Sequence, residues 1–169
     1  MGEEAKDEGM SAGLAPVERT GDRSLRVTRT FDAEPGTVFR AWSDAGLFRR
    51  WWMPRSMTGV SLVDCDIDAR TGGTYRLAFQ AGDSDKAVFY GTYIEVRDGA
   101  RMVWTNDEGE DGAVTTVTFD ALPGGKTALS YHETHASAEA LEEAIAGSAA
   151  ALPVQLEQLD ELLSELKRT

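Results

Sequence analysis

Polar and apolar residues alternate from Ser24 to Phe31, with Leu25, Val27 and Phe31 on one side and Ser24, Arg26, Thr28 and Thr30 on the other, which predicts a half-buried strand. Arg29 shares the apolar side, so it either lays its stem along that face with the guanidinium in water or puts a charge toward the interior. The spacing then turns helical. Pro35 supplies the φ of a first helical turn, and Val38, Phe39 and Trp42 fall on one side of it. Ser43 and Asp44 can cap a second short helix carrying Leu47, Phe48, Trp51 and Trp52, which Pro54 ends.

Alternation returns at Val60 to Ile67, where Val63, Cys65 and Ile67 oppose Asp64, Asp66 and Asp68. Thr71-Gly72-Gly73-Thr74 is a turn signal, and Tyr75, Leu77 and Phe79 line one face of the strand after it. Ala87 to Val96, Arg101 to Thr105, Val114 to Ala121 and Lys126 to Glu133 follow across short turns, as in an antiparallel meander. From Ala138 onward Leu141, Ile145, Ser148, Leu152, Leu156, Leu159 and Leu163 recur at steps of three and four. They predict one helix of roughly seven turns, bent at Pro153. Ala144, Gly147, Ser148 and Ala151 give that helix a stretch of small side chains. Either the sheet closes against them or a void opens toward Tyr75, Phe79, Trp104 and Tyr131.

Composition narrows the partners. The 169 residues suit one domain, with residues 1–22 expected to be an acidic flexible tail and 23–169 the folded unit. A net charge of −12 opposes a phosphate backbone, so no nucleic-acid partner is expected. No apolar run approaches a membrane span or a signal peptide, which predicts a soluble, cytoplasmic protein. Cys65 is the one cysteine and reads as a buried, inert thiol.

Three motifs carry less chemistry than they suggest. Gly9-Met10-Ser11-Ala12-Gly13 fits the nucleophile-elbow pattern but has no strand before it and no helix after it. The Asp64-Cys65-Asp66-Ile67-Asp68 run starts like a calcium loop, yet Ala69 stands where glycine is needed and Tyr75 where glutamate is needed. His132-Glu133-Thr134-His135 lacks the spacing of a helical zinc site and is expected to be a solvated strand end. Asp68, Arg70 and Arg76 are read as ion pairs around the Gly-Gly turn. No metal and no cofactor is expected.

Five ordered segments then narrow the fold: Val38-Phe39-Arg40-Ala41-Trp42-Ser43-Asp44, Trp51-Trp52-Met53-Pro54, Asp68 to Arg76, Gly91-Thr92-Tyr93 with Arg101 to Thr105, and Leu159-Asp160-Glu161-Leu162-Leu163. Together they resemble the single-domain bacterial proteins similar to the C-terminal domain of the Hsp90 ATPase activator, within the START-like (SRPBCC) superfamily. The resemblance implies an α+β helix-grip fold: a curved antiparallel sheet of about seven strands, two short helices after the first strand, and a long C-terminal helix across the sheet. It also implies a cavity for a small apolar or amphipathic ligand, lined by Trp42, Phe48, Trp51, Tyr75, Phe79, Trp104, Tyr131, Leu141, Ile145, Ser148 and Leu152. Two alternatives stand beside this binding module. One is an enzyme of the polyketide-cyclase or hydrolase type, with His132, Glu133 and Asp66 as acid and base candidates. The other is a chaperone-interaction module. A monomer or a homodimer is expected.

Overall fold

The computed structural model describes residues 16–107 and 112–168. Its elements are β1 (Glu18–Arg19), β2 (Ser24–Phe31), α1 (Pro35–Ser43), α2 (Ala45–Trp51), β3 (Val60–Ile67), β4 (Thr74–Ala81), β5 (Ala87–Arg97), β6 (Arg101–Thr105), β7 (Val114–Leu122), β8 (Lys126–Thr134), α3 (Ala138–Ala146), a 3₁₀ turn (Ser148–Ala151) and α4 (Leu152–Arg168). The strands form one antiparallel sheet in the order β1-β2-β8-β7-β6-β5-β4-β3. β2 and β8 pair from Ser24↔Thr134 to Phe31↔Thr127, so the early strand closes beside the last one. Register shifts at Leu62/Asp64 and Tyr93/Glu95 insert an extra residue in β3 and in β5, which bends the sheet into the helix-grip curve.

Seven strands are expected and eight are found. The additional one, β1, is two exposed residues inside the segment read as a tail, too short to leave a periodic signal. Val17 beside it packs partly buried against the core. Residues 1–15, including the Gly9 to Gly13 motif, lie outside the described residues.

The two short helices form as their sequence predicts. Pro35 occupies the first turn of α1, and the Asp44 side chain accepts a hydrogen bond from Leu47 N at the start of α2. Trp42 is the centre of the packing, with ring centroids of Phe48, Trp51, Trp52, Trp104, Phe119 and Tyr131 4.8 to 6.4 Å away. Trp51 Nε1 donates to Ala41 O at 2.9 Å and locks α2 onto α1.

The single bent C-terminal helix is corrected by the structure. Gly147, at φ −117° and ψ −102°, ends α3, and the chain passes through the 3₁₀ turn before α4 starts at Leu152. Glycine is among the costliest residues to hold in a helix, and the alanines around it offer no large side chain to draw that stretch onto the sheet. Pro153 is then the second residue of α4, where a missing N–H leaves no hydrogen bond broken. Leu152, Leu156, Leu159 and Leu163 of α4 are buried on the sheet. Arg29 does put its charge inward: its side chain is 13 % exposed, Nη2 lies 3.1 Å from Asp160 Oδ2, and the guanidinium carbon stands 5.7 Å from the Phe31 ring centre. Among the described residues no helix is long and apolar enough to cross a membrane.

Candidate ligand-binding cavity

Between the concave face of the sheet, the α1–α2 pair and the segment from Gly147 to Gln155 lies a cavity of about 880 Å³. Its size follows from the small side chains on one side. Gly147, Ser148 and Ala151 line it opposite Tyr75, Phe79, Trp104 and Tyr131, where bulkier residues would fill the space. Trp42, Phe48 and Leu152 complete this part of the wall. Met57 and Phe89 also line it while 48 % and 44 % exposed, so this side opens to solvent.

Three residues expected in the wall stand elsewhere. Trp51 turns toward α1, where its indole N–H is held by Ala41 O. Leu141 is wholly buried in α3, and Ile145 is half-buried on that helix. The break at Gly147 separates the face of α3 from the cavity, which a continuous helix would have extended past both residues.

The loop after α2 contributes Trp52, Met53, Pro54 and Met57, all four additional to the expected wall residues. Its backbone is held by two glutamines of α4. Gln155 Nε2 donates to Trp52 O at 2.6 Å, and Gln158 Nε2 donates to Trp51 O and Met53 O at 2.8 Å each. Gln158 Oε1 accepts from Arg55 N at 2.7 Å. A short polar side chain could not span this gap, so the glutamine pair sets how far the loop stands from α4.

On the sheet, Gly91 in β5 admits the Tyr75 ring beside it and the Thr105 carbonyl beyond. The Tyr75 hydroxyl lies 3.0 Å from Thr105 O and 2.5 Å from Asn106 Oδ1. Burial pushes the Tyr93 phenol well above its ordinary range, and the Tyr131 phenol is raised by burial first and then by the negative charge of Glu133.

One end of the cavity is polar, and here the expectation of a solvated strand end is corrected. Glu133 and His135 are 7 % and 9 % exposed and both line the cavity. The Tyr131 hydroxyl donates to Glu133 Oε2 at 2.6 Å, and His135 Nε2 lies 3.0 Å from Glu133 Oε1. His135 is fixed at the end of β8 because its N–H donates to Arg23 O at 2.7 Å. The signal was present in the sequence: Tyr131, Glu133 and His135 share the parity of buried Leu129, so all of them face inward. His132 and Asp66 take the opposite parity and face away from the cavity, so Glu133 alone of the three acid and base candidates reaches it.

The remaining motifs are structural. Asp64 pairs with Arg76 and Lys86, and Asp68 with Arg70, so two of the three aspartates of the apparent calcium loop face cations. The Cys65 thiol is half-buried, lies 3.8 Å from Ala45 O, and is raised in pKa by burial.

Solved structures share this architecture. A protein from Rhodobacter sphaeroides is 22 % identical with a TM-score of 0.77, over 90 % of this chain and 99 % of its own. One from Chromobacterium violaceum is 27 % identical with a TM-score of 0.70, over 83 % and 97 %. The AHSA1-like protein from Aeromonas hydrophila is 22 % identical with a TM-score of 0.64, over 80 % and 92 %. Among proteins with curated descriptions none matches the sequence significantly. Residues 32–164, from the end of β2 through most of α4, match one family throughout, and the chain therefore belongs to the Activator of Hsp90 ATPase homolog 1-like protein family.

Proposed function

We propose that the protein binds a small apolar or amphipathic molecule in the cavity between the curved sheet and the C-terminal helices. The observation that carries this reading is the cavity itself. Protein interiors hold few voids larger than a water molecule, whereas about 880 Å³ is within the range of small-molecule pockets. The walls are mainly aromatic and aliphatic, with polar groups concentrated at one end, which suits a ligand with an apolar body and one polar group. Native mass spectrometry of freshly purified protein is expected to show a bound small molecule, and stripped protein is expected to take up an apolar fluorescent dye that the molecule displaces. Absence of both would reject the reading.

A second reading, acid–base catalysis in the same cavity, draws on the Glu133 and His135 side chains standing on an otherwise apolar wall. Its test is hydrolysis of 4-nitrophenyl acetate. Turnover above background that disappears in His135→Asn would favour an enzyme, and a rate equal to background would set this hydrolytic reading aside.

A further inference from the structure

The register of the sheet brings an imidazole and a carboxamide to the two sides of one alanine. Thr115 pairs with Trp104 in β6 and with Glu133 in β8. One step further on the same face are Asn106, Ala113 and His135, two residues along each strand direction. Asn106 N donates to Ala113 O at 2.9 Å, so the ladder continues there, and all three residues line the cavity. Two strand spacings separate Asn106 from His135, roughly 10 Å, with only a methyl group between them.

The chemistry of this end is directional. Glu133 already receives the Tyr131 hydroxyl on one oxygen, and its other oxygen faces His135 Nε2. A carboxylate can only accept, so Nε2 carries the hydrogen, and the tautomer that holds its one hydrogen there presents Nδ1 as an acceptor. No described residue partners that Nδ1, and one end of the Asn106 carboxamide is likewise without a partner. This end of the cavity therefore carries more hydrogen-bonding capacity than the protein itself satisfies. No Lys or Arg is among the described lining residues, and none of them offers an anionic group a fixed counter-charge.

We propose that the cavity selects hydroxylated aromatic molecules, with a phenolic O–H donating to His135 Nδ1 and the ring held among Trp42, Trp52, Trp104 and Phe79. Glu133 stabilises the positive charge that develops on the imidazole as the hydrogen bond forms. If the proton crosses, the O–H bond breaks, an Nδ1–H bond forms, and an imidazolium lies between phenolate and carboxylate with no other reactant consumed. The inference rests on the binding reading above.

The experiment compares 2-naphthol with naphthalene by equilibrium dialysis against stripped protein, and records the absorption of bound naphthol at a pH well below its own pKa. The wild type is expected to hold 2-naphthol about tenfold or more tighter than naphthalene, a margin that one charge-assisted hydrogen bond supplies, with the bound spectrum shifted toward naphtholate. Glu133→Gln is expected to shrink the difference and to abolish the shift of the bound spectrum toward naphtholate. The Tyr131 hydroxyl orients the new amide so that its NH₂ faces His135 Nε2, which moves the ring hydrogen to Nδ1. His135→Phe, a second variant that does not depend on the tautomer, is expected to lose the same preference. Both variants are first checked for a cooperative urea transition. Equal affinity of the wild type for the two compounds, or a preference that survives in both folded variants, overturns the phenol inference while cavity binding stands. Failure of the wild type to bind either compound overturns both.

Discussion

Gly91 and Tyr75 approach so closely that a β-carbon on Gly91 would stand 2.7 Å from Tyr75 Cε2, and it would also meet the Thr105 carbonyl oxygen at 1.7 Å. Gly91→Ala is therefore expected to cost at least about 3 kcal/mol, because backbone as well as side chain must shift. Gly36→Ala in α1 is the control: nothing lies within 4 Å of the added carbon, and stability should rise by about 0.5 kcal/mol. Urea midpoints for the two variants check the contrast, and equal shifts would refute it.

Gln158 makes three hydrogen bonds to the loop after α2. Gln158→Ala should cost about 1–3 kcal/mol, since two carbonyls and one N–H lose a partner. It should also speed dye release from the cavity, because Met53 and Pro54 are then less restrained. An unchanged release rate in a destabilised variant would separate the loop's anchoring from ligand exchange.

Ser148 is exposed to the cavity and solvent and is not pressed against the sheet. Ser148→Met should hold or slightly raise stability while weakening dye uptake several-fold by occupying the space. A loss of about 1–3 kcal/mol with undiminished uptake would indicate a closed contact at this position.

Alkaline titration tests the buried phenols. A tyrosine whose folded pKa is raised contributes stability that is fully present below the unfolded value near 10 and is lost as pH climbs from there toward the folded value. Stability should thus fall above about pH 10, and Tyr93→Phe should flatten that slope. Urea unfolding at stepped pH is the measurement, and an identical slope in the variant would exclude Tyr93 as a contributor.

Much of the architecture was legible because burial on one face imposes a period. Ser24 to Phe31 and Val60 to Ile67 were readable to the residue, and the pair of short helices was readable in kind and place, although α2 ends at Trp51 and leaves Trp52 as its cap. The division at Gly147 was hidden because leucines continue at helical steps on both sides of it, and periodicity does not register a change of axis. At the cavity, aromatic residues stood out by size, whereas the walls formed by Met53, Pro54 and Met57 depend on loop geometry that has no period. Glu133 and His135 were misread for another reason. Polar residue type was given more weight than strand parity, although parity with Leu129 and Tyr131 placed them inside.

The extra residue in β3 bears on how the protein behaves at high concentration. β3 is one edge of the sheet, and an open edge invites pairing with another chain. The bulge at Leu62/Asp64 interrupts the row of free N–H and C=O groups, and Asp64 and Asp66 put carboxylates along the same strand. At the other edge, β1 offers only Glu18 and Arg19, two charged residues and too little length to template a partner. Geometry and charge at both edges of the described sheet thus work against its extension by another chain, so an open aromatic cavity is carried on a sheet whose edges are poor templates.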